Sequence, residues 1–235
     1  MKTRLLRMSA LCSILLATAT FIPSAFADVT GNSGNSAGNP IAIPDNDPGG
    51  IVSTVTITEN EIINEAKFCI EGLDHDFVGD LIITVQHSTS GQMATLVHRV
   101  QQTSNPNSVG DSSNVNGTYE FADNLPNGAP SPSIWTAAAN GDTNFTVPAA
   151  TYAASGVGEA VVDLNTIFGG QTTAGTWTFN ISDNNGGSPT DQTGTFLRTS
   201  VKFDSTAAIP EPGALGILAI GTLIGITRRR RRKVA

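Results

Sequence analysis

Cysteine is almost missing from this chain: Cys12 and Cys69 are the whole supply in 235 residues. Cys12 lies in the N-terminal leader, preceded by Leu11 and too early for a lipoprotein cysteine. Cys69 alone remains after export, so no intrachain disulfide can form. In Ala66-Lys67-Phe68-Cys69-Ile70-Glu71, where Ala66, Phe68 and Ile70 share a strand face, it is expected as a half-buried, inert thiol. Histidine is equally scarce, at His75, His87 and His98. Without paired thiols, and with His87 and His98 eleven positions apart, zinc fits poorly. His87 instead shares a strand face with Leu81, Ile83 and Val85, as a structural histidine. A serine protease assembles nucleophile, base and orienting acid, and neither a Gly-Thr-Ser-Met-Ala-like nor a His-Gly-Thr segment is present. The expectation is a non-catalytic protein.

Positive charge is missing from the middle of the chain and concentrated at its ends. Only Lys67, Arg99, Arg198 and Lys202 fall within residues 28–209, against nineteen acidic residues, so that span carries −15 where the whole chain carries −7. Such a surface repels nucleic acid, and anionic polysaccharide too unless divalent cations bridge them. At the N-terminus, Lys2, Arg4 and Arg7 precede an apolar run from Leu11 to Ile22 and a small-x-small Ala25-Phe26-Ala27. This is the pattern of a signal peptide whose removal leaves Asp28 first. At the C-terminus, Pro210 and Pro212 flank Glu211; they remove backbone donors and disfavour helix, so the folded region ends before them. The apolar stretch 213–227 follows, and as a helix it spans roughly 22 Å, short against a bilayer core of about 30 Å. Arg228, Arg229, Arg230, Arg231 and Arg232, with Lys233, then hold the end on the cytoplasmic side.

Between those ends no amphipathic helix of useful length occurs, and residues 28–209 suffice for one domain. Val55 and Ile57 alternate with Thr54, Thr56 and Thr58, which predicts a strand with one buried face. Ile63–Ile70, Leu81–Gln86, Ala94–Val100 and Thr118–Ala122 read as further strands, Leu81–Gln86 being apolar on both faces and so central. Trp177, Phe179 and Ile181 mark another, and Leu197, Val201 and Phe203 the buried face of the last. Thr30–Asn39 reads as a flexible linker and Gln101–Gly117 as a long surface loop. Leu125–Pro132, with three prolines, cannot be central sheet, and Glu159–Phe168 is either a strand or a short helical turn. The class is all-β, a β-sandwich or jelly roll of about eight strands.

The densest polar cluster is Leu73-Asp74-His75-Asp76-Phe77-Val78-Gly79-Asp80-Leu81, just before the most apolar strand. Gly79 permits a positive-φ turn, Asp80 can accept backbone N–H groups, and His75 can bond a neighbouring carboxylate. Asp74 and Asp76, with Asp183 and Asp191 flanking a Gly/Asn-rich turn, are candidate Ca²⁺ ligands, being hard oxygen donors on loops. Neither run has an EF-hand spacing.

Two resemblances extend this reading. Pro210-Glu211-Pro212, the apolar stretch and the arginine cluster resemble a PEP-CTERM protein-sorting signal. That resemblance implies processing by an exosortase-like enzyme, transient inner-membrane anchoring through 213–227, and a destination at the cell surface or extracellular matrix of a Gram-negative-type bacterium. Separately, His75-Asp76-Phe77-Val78-Gly79-Asp80-Leu81 followed by Ser90-Gly91 resembles the P domain (Homo B) of kexin-like and other subtilisin-type proteases. Ile43-Pro44-Asp45, Gly175-Thr176-Trp177-Thr178, Ser182-Asp183 and Thr193-Gly194-Thr195 follow in that family's order. It implies an eight- or nine-stranded jelly roll with His75, Gly79, Asp80, Gly91, Trp177, Asp183 and Gly194 as structural motif positions. Thr89 stands where the family has proline, and Thr199 where it has tryptophan.

The expected organisation is a signal peptide at 1–27, a linker at 28–40, a P-domain-like jelly roll at 41–204 and a sorting signal at 205–235. The expected role is binding or scaffolding of extracellular polysaccharide or a surface protein. One alternative is a regulatory module acting in trans on a secreted subtilase. Another is a lectin-like domain with Trp135 or Tyr152 as a stacking platform.

Overall fold

The computed structural model describes residues 26–33, 39–102, 110–138, 144–184 and 194–207. Among the described residues twelve strands follow in chain order: β1 (Phe26–Asn32), β2 (Ile41–Ile43), β3 (Asp47–Ile57), β4 (Glu61–His75), β5 (Leu81–His87), β6 (Met93–His98), β7 (Asn114–Phe121), β8 (Thr146–Val147), β9 (Thr151–Tyr152), β10 (Gly175–Asp183), β11 (Gly194–Phe196) and β12 (Arg198–Ala207). Two short helices, α1 (Ile134–Ala137) and α2 (Leu164–Phe168), lie among them. The strands form two sheets, β3-β10-β5-β6 and β1-β12-β4-β11-β2, with β7 also on β4 and β8 and β9 beside β7. The two sheets make a β-sandwich.

Sequence periodicity becomes packing directly in the smaller sheet. In β3, Ser53, Val55 and Ile57 are buried while Thr54 and Thr56 are exposed. β5 lies between β10 and β6, a central place in its sheet, and its burial alternates: Leu81, Ile83, Val85 and His87 are buried, Ile82 and Thr84 half-buried and Gln86 exposed. Between the sheets, Phe68 of β4 meets Phe168, Trp177, Phe179 and Phe203 at centroid distances of 5.3, 5.6, 6.0 and 6.2 Å. All five rings are fully buried, and truncating such a ring to alanine costs about 3–5 kcal/mol. Thr199, also fully buried, ties the sheets with polar atoms: its Oγ1 lies 2.8 Å from Ser53 Oγ.

Several elements differ from the sequence expectation. Residues 28–32, assigned to a linker by composition, belong to β1, which pairs with β12 from Phe26↔Thr206 to Asn32↔Ser200. Gly31 can sit there because it has no side chain; a Cβ would collide with Ile57 Cδ1 of β3. The end of the expected 101–117 loop is strand, since β7 begins at Asn114 and buries Val115, Tyr119 and Phe121 against β4. The ambiguous 159–168 segment contains α2, capped at its start by Asp163, whose carboxylate accepts the Thr166 N–H at 2.7 Å. Asp123 reaches across to accept the Leu164 and Asn165 N–H groups at 2.9 and 2.8 Å. Burial pushes the Asp123 carboxyl up, whereas the Thr166 N–H pulls that of Asp163 down.

Candidate functional site

The polar residues singled out by the sequence fall into two clusters at opposite ends of β5 and β10. These strands run antiparallel, with Asp183 opposite Leu81 and Trp177 opposite His87. Seven residues of strand place the two ends about 20 Å apart.

At one end, His75 closes β4 with a fully buried side chain, and its Nε2 lies 3.1 Å from the equally buried Asp183 Oδ2. Its Nδ1 accepts the Phe77 N–H at 3.1 Å. That acceptor role places the ring proton on Nε2, so a neutral imidazole donates to the carboxylate. Gly194 is the floor beneath the ring, because a Cβ there would collide with His75 Cδ2. Gly79 does not lie in the positive-φ region that its place before the strand suggested. Close approach explains it instead, since a Cβ would run into the backbone of Gly110 and Asp111. The Gly79 N–H donates to the Asp111 carbonyl at 2.9 Å, and Asp111 N–H to the Val100 carbonyl at 2.7 Å. Arg99 Nε donates to the Gly79 carbonyl at 3.2 Å while its guanidinium faces Asp80 Oδ1 at 3.8 Å. Arg99 and Gln101 hold left-handed backbone, φ 37° and 60°, strain that the surrounding contacts sustain. No local sequence pattern marks Arg99 and Asp111, because their partners come from other segments.

At the other end, His87 is fully buried and stacks on Trp177, centroids 4.2 Å apart and planes 8° from parallel. Its Nε2 donates to the Ala174 carbonyl at 3.0 Å, and its Nδ1 lies 3.2 Å from the Ser90 hydroxyl and 3.5 Å from Gln171 Oε1. Serine on imidazole is the beginning of a nucleophile–base pair. Here the position of an orienting carboxylate is taken by a main-chain carbonyl, and the ring is sealed under tryptophan. Gly91, with φ 72°, turns the chain nearby and donates its N–H to the His87 carbonyl at 2.9 Å.

Of the proposed calcium ligands, the three described ones, Asp74, Asp76 and Asp183, do not form a cluster arranged to hold a metal ion. Asp74 and Asp76 are exposed while the intervening His75 is buried, as strand alternation dictates, and Asp183 is buried against His75. Asp191 lies outside the described residues. Among the described residues, no group of three or more His, Cys, Asp or Glu is arranged to hold a metal ion. The stacking platforms divide as well. Tyr152 is 3% exposed, donates its hydroxyl to the Pro148 carbonyl at 2.7 Å and lies against Tyr119, so it offers no face to a sugar. Trp135, in α1, is half-buried. Cys69 is buried more deeply than expected, and burial pushes its thiol from 9.0 up to about 11, against a smaller lowering by Ser200.

Of the processing signals, Ala27 and Asp28 lie in β1 opposite Ser205 and Asp204. Ala25, Pro210, Glu211, Pro212, the apolar stretch 213–227 and Arg228 to Arg232 lie outside the described residues. Among the described residues, no helix is long and apolar enough to cross a membrane.

Residues 208–232 match the PEP-CTERM protein-sorting motif. No curated protein matches the chain. Among solved structures it is similar to a serine protease of Aeromonas sobria in complex with its chaperone ORF2, at 15% identity and a TM-score of 0.44, over 78% of this chain and 28% of that one. The same protease alone gives 14% identity and a TM-score of 0.42, over 78% and 27%. The chain thus spans less than a third of the length of either protease structure. What the comparisons establish is the tail: the chain carries the sorting signal of an exported protein at 208–232.

Proposed function

We propose that this chain is a non-catalytic, exported surface or extracellular-matrix protein, processed at its C-terminal signal by an exosortase-like enzyme. Its β-sandwich serves as a P-domain-like module for binding or scaffolding. The observation that carries the reading is the sorting motif at 208–232. The apolar stretch 213–227 holds the chain in the inner membrane until processing. Release then leaves a strongly acidic domain, four basic against nineteen acidic residues in 28–209, suited to surface proteins or to polysaccharide bridged by divalent cations.

The non-catalytic part is supported by the histidines. His75 and His87 are both fully buried, and each engages both ring nitrogens with a main-chain group, a carboxylate or a serine. The P-domain-like part is supported by the motif residues, since His75, Asp183 and Gly194 converge, Gly79 admits a neighbouring backbone, and Trp177 fills the core. Fractionation of native cells making the chain with and without residues 210–235 tests the assignment. The intact protein should reach the surface or matrix, and the truncated one should not. Identical distributions would remove the basis for the reading.

A further inference from the structure

We propose that the signal peptide must be removed before β1 docks, so that cleavage and the last step of folding occur in a fixed order. The proposal rests on the reading of Ala25-Phe26-Ala27 as the cleavage signal with Asp28 as the first mature residue. In the folded chain β1 starts upstream of that bond: Phe26 pairs with Thr206, Ala27 with Ser205 and Asp28 with Asp204. Hydrolysis adds water across the Ala27–Asp28 amide, leaving a carboxylate on Ala27 and an α-amine on Asp28. A peptide bond inside a paired strand is open to a peptidase only after the strand lifts away.

β1 is held firmly enough for this to matter. Val29 is 6% exposed and belongs to the core. Beyond the strand, the Ser33 N–H donates to the Thr199 carbonyl at 2.9 Å, and the Thr199 N–H donates to Ser33 Oγ at 3.1 Å. Gly31 is pressed so close to β3 that a Cβ would also lie 2.8 Å from Val55 Cγ1. A precursor that completes this docking early therefore protects its own cleavage site.

The same pairing puts both processing events at one corner. β12 ends at Ala207, opposite Glu61 at the start of β4 and so at the far end of that strand from His75. The sorting motif begins at the next residue, 208. Cleavage removes the partners of Thr206 and Ser205, leaving β1 as Asp28–Asn32 opposite Asp204–Ser200. In the cleaved chain, docking of the shortened β1 leaves the β12 edge at Ser205 and Thr206 uncovered beside the sorting motif.

The test uses full-length precursor in detergent micelles with purified signal peptidase. Native precursor is compared with urea-unfolded precursor returned to assay conditions immediately before cleavage, and with folded Gly31→Val precursor. Tryptophan emission reports whether the variant keeps its core, and mass spectrometry reads the new N-terminus. Native precursor should be cut roughly tenfold or more slowly than the unfolded chain and the variant, with Asp28 first in every product. Should Gly31→Val fail to fold, wild-type cleavage in urea below the unfolding midpoint replaces it, and should accelerate before global unfolding. Equal rates for native and unfolded precursor would overturn the ordering. A product beginning at Phe26 or earlier would overturn the cleavage-site reading and the proposal with it.

Discussion

Replacing His75 with leucine should destabilise the sandwich far more than loss of one surface contact. The side chains of His75 and Asp183 are both fully buried, and Nε2 donates to Oδ2 over 3.1 Å. Leucine takes this donor from a carboxylate that stays buried, and breaking such a pair costs about 3–5 kcal/mol. It also takes the acceptor from the Phe77 N–H, which adds about 1 kcal/mol. Asp183→Asn keeps an oxygen that can accept the Nε2 proton, so its cost is about 1–2 kcal/mol. In the double variant the buried carboxylate is gone, and the two costs should fall short of additivity by about 1–3 kcal/mol. For a domain of 150–250 residues each kcal/mol lowers Tm by about 2–4 °C, so a His75→Leu cost of about 4–6 kcal/mol should lower it roughly 8–24 °C below wild type. Urea and thermal unfolding of the four proteins, followed by tryptophan emission, measure the cycle. Additivity within about 0.5 kcal/mol, or a His75→Leu Tm within about 2 °C of wild type, would refute the argument that this pair holds the end of the sandwich together.

Two further outcomes follow from titrating groups. Burial raises Cys69 from 9.0 to about 11 and Tyr119 from 10.0 to about 12, so both are held neutral in the fold. The Cys69 contribution is complete below its unfolded pKa of 9.0 and disappears as pH rises through about 11, a loss of about 2–3 kcal/mol. Urea midpoints should fall across that window more steeply in wild type than in Cys69→Val, and iodoacetamide should label native Cys69 at about pH 8 far more slowly than the unfolded chain. At α2, Asp163→Ala removes the cap on Thr166 N–H and should cost about 1 kcal/mol at neutral pH. Because that hydrogen bond holds the Asp163 carboxyl below its usual range, its contribution is present above the unfolded pKa and is lost as pH falls through the folded one. Melting curves of wild type and Asp163→Ala should therefore converge in acid, and a gap that stays constant from neutral pH to about pH 2 would contradict the assignment.

The covalent sequence by itself determined the tail, the charge distribution and the strands whose two faces differ in polarity. Val55 and Ile57 against Thr54 and Thr56, or Trp177, Phe179 and Ile181 against their neighbours, need no partner to be legible, because strand period is a property of consecutive residues. Tertiary structure decided what depends on a partner. β1 is a strand because Gly31 allows close approach to Ile57, though its composition reads as a linker. β7 hides Val115 and Tyr119 behind Asn116 and Gly117, and pairing with β4 overrides the loop-like composition. Asp74, Asp76 and His75 stand together in sequence and apart in space, because alternation turns the carboxylates outward and the imidazole inward. His75 and Asp183 are 108 residues apart and share a hydrogen bond, which only the register of β4, β5, β10 and β11 can arrange. Gly79 and Gly194 keep their small size for neighbours distant in sequence, Gly110 and His75. Residue type states what a side chain can do, and strand register decides which partner it meets.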